Sequence, residues 1–378
     1  MNTKFDDIRP YNEEEIPAAM QRIACSPDFP LLASYVYPSV PVDRVREQIL
    51  SYRTIRDFQV EVMGMVNEQV IAQSTTAFSS HGIEKLDAND RFLFVSNHRD
   101  IMLDACLLQY VLYHSGHETS EITFGANLMQ GQLVTDIGKC NKMFRVERPG
   151  GSVREFYKAS VHLSEYMRYA LLEKHQSVWI AQRNGRTKDG VDRTDQGIIN
   201  MFGMSRRDDK VQSLAELKIV PISISYEWEP CDVQKALELY KTRKEGSYTK
   251  TPGEDLNSII TGIVQPKGKV HIEVCDMVTE DDLKAFGDLP LGEFNRQVAH
   301  LIDERICSHY RLTANNYIAH DVQHAKHEYE EHYTAEEKEA FMTHLGKLQQ
   351  YAAVCDVEEL RDILLGIYAN PIESYYNL

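Results

Sequence analysis

Between residues 92 and 274, short apolar runs alternate with long stretches of helical periodicity. The runs Phe92–Val95, Glu121–Gly125, Met143–Glu147, Ser177–Ala181, Lys218–Ser225 and Val270–Val274 have the length and apolar content of buried strands. The clearest helical patterns cover about 101–115, 151–174 and 291–311. Strands separated by helices must find their partners through crossovers. The pattern therefore predicts an α/β fold, a mixed sheet flanked by helices, and argues against an all-helical or all-β one. Pro221 within Ile219–Tyr226 lacks a ladder donor and is predicted at a sheet edge or bulge.

The two ends read differently. Residues 1–75 are mainly helical: Asn12 is placed to cap one helix, and apolar residues recur at helical spacing from Val42 to about Gln73. A central domain over 76–312 follows, then a charged helical region over 313–378. Both ends carry apolar faces and are expected to pack on the centre.

Composition excludes several roles. The chain has 378 residues and a net charge of −16, which opposes binding to nucleic acid phosphates. No stretch reaches the length of about 20 apolar residues that crosses a bilayer. The acidic start, Met1-Asn2-Thr3-Lys4-Phe5-Asp6-Asp7, lacks the apolar core of a signal peptide, which predicts a cytoplasmic protein. Seven dispersed cysteines without a C-x-x-C pair fit a reducing compartment and no structural zinc.

The strand Phe92–Val95 runs into Ser96-Asn97-His98-Arg99-Asp100-Ile101-Met102-Leu103-Asp104, and then into an apolar helix. A His and an Asp are thus delivered to a strand-to-helix turn. An imidazole there can take a proton near neutral pH, and a carboxylate can hold its tautomer and stabilise its cation. Asp100 stands where a helix cap belongs. His98 and Asp104 are six apart, so they meet only if the chain bends between them.

Two basic segments follow. Gly138 to Arg148 holds Lys139, Lys142, Arg145 and Arg148, and ends before Pro149-Gly150-Gly151-Ser152 and a helix. Arginine forks and helix N-termini both suit phosphate oxygens. The strand Ser177–Ala181 leads into Gln182-Arg183-Asn184-Gly185-Arg186-Thr187-Lys188, a glycine-bearing basic turn.

Taken in order, these segments resemble the glycerolipid acyltransferase superfamily, which includes the bacterial 1-acylglycerol-3-phosphate and glycerol-3-phosphate acyltransferases. That family carries N-H-x4-D, a phosphate-binding Arg after an F-[IV]-x-R-like strand, F-P-E-G-T-R-S, and a V-P-[VI] strand. The matching segments here are Asn97-His98 with Asp104, Phe144 to Arg148, Asn184-Gly185-Arg186-Thr187, and Val220-Pro221-Ile222. The chain departs from the pattern in three places. Five residues separate His98 from Asp104 instead of four, and Phe144 to Arg148 is one residue longer than F-x-x-R. Asn184 replaces the family's Glu, and Arg186-Thr187 reverses its Thr-Arg. An amide at Asn184 can still hydrogen-bond a hydroxyl but brings no negative charge.

The resemblance implies acyl transfer from a thioester, acyl-CoA or acyl-carrier protein, to a hydroxyl of a lipid or phosphorylated acceptor. His98 would be the general base, oriented by Asp104. Arg148, with Asn184, Gly185, Arg186 and Lys188, would bind substrate. The chemistry requires no metal and no resident cofactor. Two other readings stay open: O-acylation of a lyso-aminolipid, kept alive by Asn184, and a non-catalytic lipid-binding protein of the same fold. A chain without a membrane span that handles lipid should meet the membrane transiently, through exposed apolar or basic surface such as the terminal helical segments. A further cluster, His320, His324 and His327, has metal-ligand spacing on a helix, but it lacks a metalloprotease-type motif and reads as a solvated face.

Overall fold

The structure is a computed structural model that describes residues 3–147 and 152–377. Among these, seven strands form one sheet: β1 (Thr75–His81), β2 (Leu93–Ser96), β3 (Glu121–Gly125), β4 (Met143–Val146), β5 (Val178–Ala181), β6 (Ile219–Tyr226) and β7 (Gly268–Val274). Their spatial order is β1-β7-β6-β2-β5-β3-β4. β6, β2, β5, β3 and β4 run parallel, and β7, with β1 parallel to it, runs opposite to β6. The sheet is mixed and flanked by helices, with helical regions at both ends, as the sequence predicts.

The central strands are buried on both faces. Leu93, Val95, Val178, Ile180 and Ile219 point into one core, shared with the helices Val153–Arg168 and Leu291–Cys307. Phe94, Trp179, Val220 and Ile222 point into the other, shared with the helix Leu103–His114. Burial on both sides explains why these strands read as continuous apolar runs rather than alternating ones. Leu103–His114 has little amphipathic character because nearly all of it is enclosed.

β1 is absent from the sequence prediction. It is an edge strand of sequence TTAFSSH, largely exposed, that follows the helix Met65–Ser74 without a loop. Pro221 corrects its expectation in part. It lies in an interior strand, aligned with Val95 of β2. Its carbonyl accepts from Cys275 N–H at 3.0 Å, one residue past Ile222–Val274, where the β6–β7 ladder ends. The missing N–H faces this same side, where there is no ladder left to break.

The N-terminal helices build their own core from residues including Ile16, Met20, Phe29, Val45, Ile49 and Phe58. They dock on the helix Gln132–Cys140, where Asp136 bonds Arg22 and Tyr11, each at 2.7 Å. The C-terminal helices Ala314–His324, Ala335–Gly346 and Val357–Tyr376 pack on Ala236 of the helix Asp232–Glu245 through residues such as Phe341, Leu364 and Tyr368. Among the described residues, no helix is long and apolar enough to cross a membrane.

Candidate active site

β2, β5 and β6 are parallel neighbours, so the segments that follow them emerge at one edge of the sheet. Ligand crevices of open α/β sheets form at such carboxyl ends. Asn97 stitches the edge together. Its buried amide accepts from Ile224 N–H at 2.9 Å and donates to Ile224 C=O and Asp192 at 3.0 Å each, extending the β2–β6 ladder with a side chain. Thr187 N–H donates to His98 C=O at 2.7 Å, which ties the basic turn to the His loop.

The bend that spacing requires between His98 and Asp104 is present. Leu103 begins the helix and Asp104 lies in its first turn. Asp100 caps it from three residues upstream, one carboxylate oxygen accepting from Met102 and Leu103 N–H at 2.9 Å each. Asp104 Oδ2 meets His98 Nδ1 at 3.0 Å and accepts from the backbone N–H of Arg99 and Asp100 at 2.6 and 2.9 Å. Asp104 Oδ1 accepts from the Tyr226 hydroxyl at 2.9 Å. With four donors the carboxylate is fixed, Nδ1 carries the proton, and Nε2 presents a lone pair. Among the described residues Nε2 has no hydrogen-bond partner, and the imidazole keeps 14% exposure while Asp104 keeps none. The site is thus an acceptor nitrogen at a surface, held by a buried acid.

The loop's extra residue relative to N-H-x4-D falls beside a buried charge cluster. Arg99 bonds Asp192 through two nitrogens at 2.7 and 3.1 Å and reaches Glu229 at 3.3 Å. Lys235, fully buried, donates to Glu229 and to Arg99 C=O at 2.6 Å each. Thr187 and Tyr310 hydroxyls donate to Asp192 at 2.5 and 2.6 Å. Burial opposes the charge on Asp192, yet Arg99 and these donors outweigh it and hold the carboxyl below its usual range. Burial, and then the charge of Asp104, push Asp100 up instead. Arg99, Asp192, Tyr226, Glu229, Lys235 and Tyr310 were not legible as site residues. Lys235 and Glu229 are six residues apart, but the pairs that tie Arg99, Asp192, Tyr226 and Tyr310 into the site span 93 residues or more, and only Arg99 sits inside a motif.

The predicted binding residues separate. Arg148 lies outside the described residues. Of the other cations in its segment, Lys142 precedes β4, at the opposite edge of the sheet, and donates to Thr119 and Gln176. Lys139 lies over the Tyr11 ring and Arg145 pairs with Glu147. In the β5 turn, Asn184 is exposed and Gly185 takes φ +77°, a conformation glycine supplies cheaply. Arg186 is buried with one terminal nitrogen unpartnered, and Lys188 is held in an ion pair with Glu238. The cations lining the open hollow here, about 400 Å³, are Arg183 and Arg193, beside Asn184. Arg193 had no motif to reveal it. A larger cavity, about 730 Å³, lies behind the helix Leu103–His114, lined by Gln59, Met63, Cys106, Tyr110 and Lys142 and by none of the predicted site residues.

The histidine cluster also differs from expectation. The helix ends at His324, so His327 leaves the face and pairs with Glu330. His320 is buried rather than solvated, 3.3 Å from Glu373 of the last helix.

Asp303 on Leu291–Cys307 fastens the strand-end loop from behind, accepting from Thr194 N–H and hydroxyl at 2.7 and 2.6 Å. Burial pushes it up from 3.8 to about 6. The unfolded chain loses this proton first. The stabilisation from the protonated form is therefore complete below about pH 4 and lost as pH rises to about 6. Asp303→Asn keeps the acceptor and removes the titration. Its stability relative to wild type is expected to rise by roughly 3 kcal/mol between about pH 4 and 7, measured by urea unfolding. A flat difference would show that Asp303 does not titrate in this window.

The Acyltransferase family model matches residues 77–225, from β1 through β6. That span contains His98, Asp104 and the basic turn. Among solved structures, the 1-acyl-sn-glycerophosphate acyltransferase PlsC from Thermotoga maritima is similar at 15% identity and a TM-score of 0.37, covering 76% of this chain and 94% of that one. No curated protein matches the chain.

Proposed function

We propose that the protein transfers a fatty acyl group directly from a thioester to a hydroxyl of a glycerophospholipid precursor. The observation that carries this is the His98–Asp104 pair, with Nε2 open, within the span that the Acyltransferase family model matches. His98 Nε2 takes the acceptor hydroxyl proton as the oxygen attacks the thioester carbonyl. The C–S bond then breaks, and the departing thiolate takes the proton back from the imidazolium, so the base is restored. Asp104, itself fixed by the Tyr226 hydroxyl, orients the imidazole and stabilises its cation, as the acid of a Ser–His–Asp triad does for its histidine. No protein nucleophile, metal or resident cofactor enters the scheme. The donor is acyl-CoA or acyl-carrier protein, and nucleic acid has no part. Arg148 is the proposed phosphate ligand, joined by Asn184 and Gly185, while Arg186 is buried beneath the turn rather than open to substrate. Lys188 already serves Glu238, which leaves Arg183 and Arg193 as better placed cations at the hollow.

The test is thioester consumption with each donor against glycerol 3-phosphate, lysophosphatidate and a lyso-aminolipid. Turnover is expected with a phosphorylated acceptor. Turnover only with the lyso-aminolipid would replace the acceptor assignment, in line with the neutral Asn184. Lipid binding without turnover for any pair would leave a non-catalytic lipid-binding protein.

A further inference from the structure

The helix Glu254–Val264 lies directly on the His98–Asp104 loop. A side chain at Gly262 would put its Cβ 2.2 Å from Asp100 Oδ2, so only glycine allows this approach. Cys231 donates to Ser258 C=O at 3.2 Å and Gln234 to Thr261 at 3.0 Å, fixing the same inward face. At the helix's start, Asp255 bonds Asn127, two residues past the carboxyl end of β3, at 3.2 Å.

The outward face is apolar. Leu256, Ile260 and Val264, four residues apart and hence on one side, are 60%, 51% and 61% exposed. They form an unpartnered aliphatic stripe on a helix whose other side presses on the proposed active site. The chain leading to it, residues 241–250, holds Lys241, Arg243, Lys244 and Lys250 against one acid, Glu245. This is a local positive run in a chain of net charge −16. Lys244 and Lys250 spend charge on Glu359 and Asp255, while Lys241 and Arg243 are exposed.

We propose that this face docks on an anionic lipid bilayer. An exposed aliphatic stripe, with exposed cations on the helix that precedes it in the chain, is a combination suited to the headgroup–acyl boundary of such a membrane. Docking there would leave the reactive loop about one helix diameter, ~10 Å, from the surface. A lipid acceptor could then reach His98 without a membrane-spanning segment. This rests on the acyl-transfer reading for its purpose but not for its evidence, and it places the contact on Glu254–Val264 rather than on the terminal helical segments.

The experiment is flotation of the full chain with phosphatidylglycerol vesicles and with phosphatidylcholine vesicles. It is paired with turnover of one acceptor presented in vesicles and as a short-chain soluble analogue. Wild type is expected to float with the anionic vesicles. Leu256→Asp/Ile260→Asp and, separately, Lys241→Glu/Arg243→Glu should each reduce flotation about tenfold. All four side chains are exposed, so the thermal transition should stay in place. Vesicle-borne turnover should fall with flotation, and soluble turnover should stay within about twofold of wild type. Equal flotation of the stripe variant and wild type, or no wild-type flotation, would overturn the proposal. So would a dimer that the stripe substitutions dissolve, since a second copy would then be the occupant. Stripe-dependent flotation in a protein without turnover would sustain the docking and remove the acyl-transfer reading.

Discussion

His98→Ala is expected to lower turnover by about 10²–10⁴-fold while leaving the fold intact, because it removes only the group that takes the acceptor proton. The imidazole is partly exposed and packs edge-on to Trp179 with ring centres 6.1 Å apart, so truncation opens no large cavity. Turnover is read by single-time-point thioester consumption and folding by the thermal transition. Asp104→Asn should cost a similar factor in rate and also stability. Its amide would point N–H at one of the donors now facing Asp104, either the Arg99 and Asp100 backbone or Tyr226. Turnover in His98→Ala within about threefold of wild type would remove the general-base assignment.

Arg99→Met should be the most destabilising single change near the site, by about 3–5 kcal/mol. It strips Asp192 of its counter-charge inside the protein and takes from Glu229 one of its two cations. The four charges Arg99, Lys235, Asp192 and Glu229 balance, so the cluster is tolerable only as a set. Arg99→Met/Asp192→Asn should recover part of the loss, since the amide keeps an acceptor for Thr187 or Tyr310 without an unpaired charge. Urea unfolding measures both. A loss under about 1 kcal/mol would mean that solvent reaches the cluster and the pairing contributes little. Methionine keeps the backbone N–H that holds Asp104, so the rate should fall only as far as the loop itself shifts when its charges are unbalanced.

Much of the architecture follows from local patterning. β3 and the long helices fall where periodicity puts them, because strands enclosed on both faces must be continuously apolar and helices that cover a core must be apolar on one side. β1 escaped because an exposed edge strand needs no apolar run, and TTAFSSH has none. The break of the second helical stretch at Tyr52–Thr54 was equally hidden, since the apolar spacing continues through it.

The sequence by itself determined that a histidine and an aspartate stand at a strand-to-helix turn, and that the turn must bend for them to meet. Both follow from short-range geometry: side-chain period, cap chemistry and the six-residue gap. Only the tertiary structure decided what surrounds them. Tyr226 comes from a strand 122 residues away, and the Arg99–Asp192 and Arg99–Glu229 pairs span 93 and 130 residues. Charge alone did not tell which basic residues face outward. Lys142, Lys188 and Arg186 look alike in a sequence, yet one lies at the far edge of the sheet, one in an ion pair and one in the interior. A cation's availability is set by the partner folding brings to it, and that partner is rarely its neighbour in the chain.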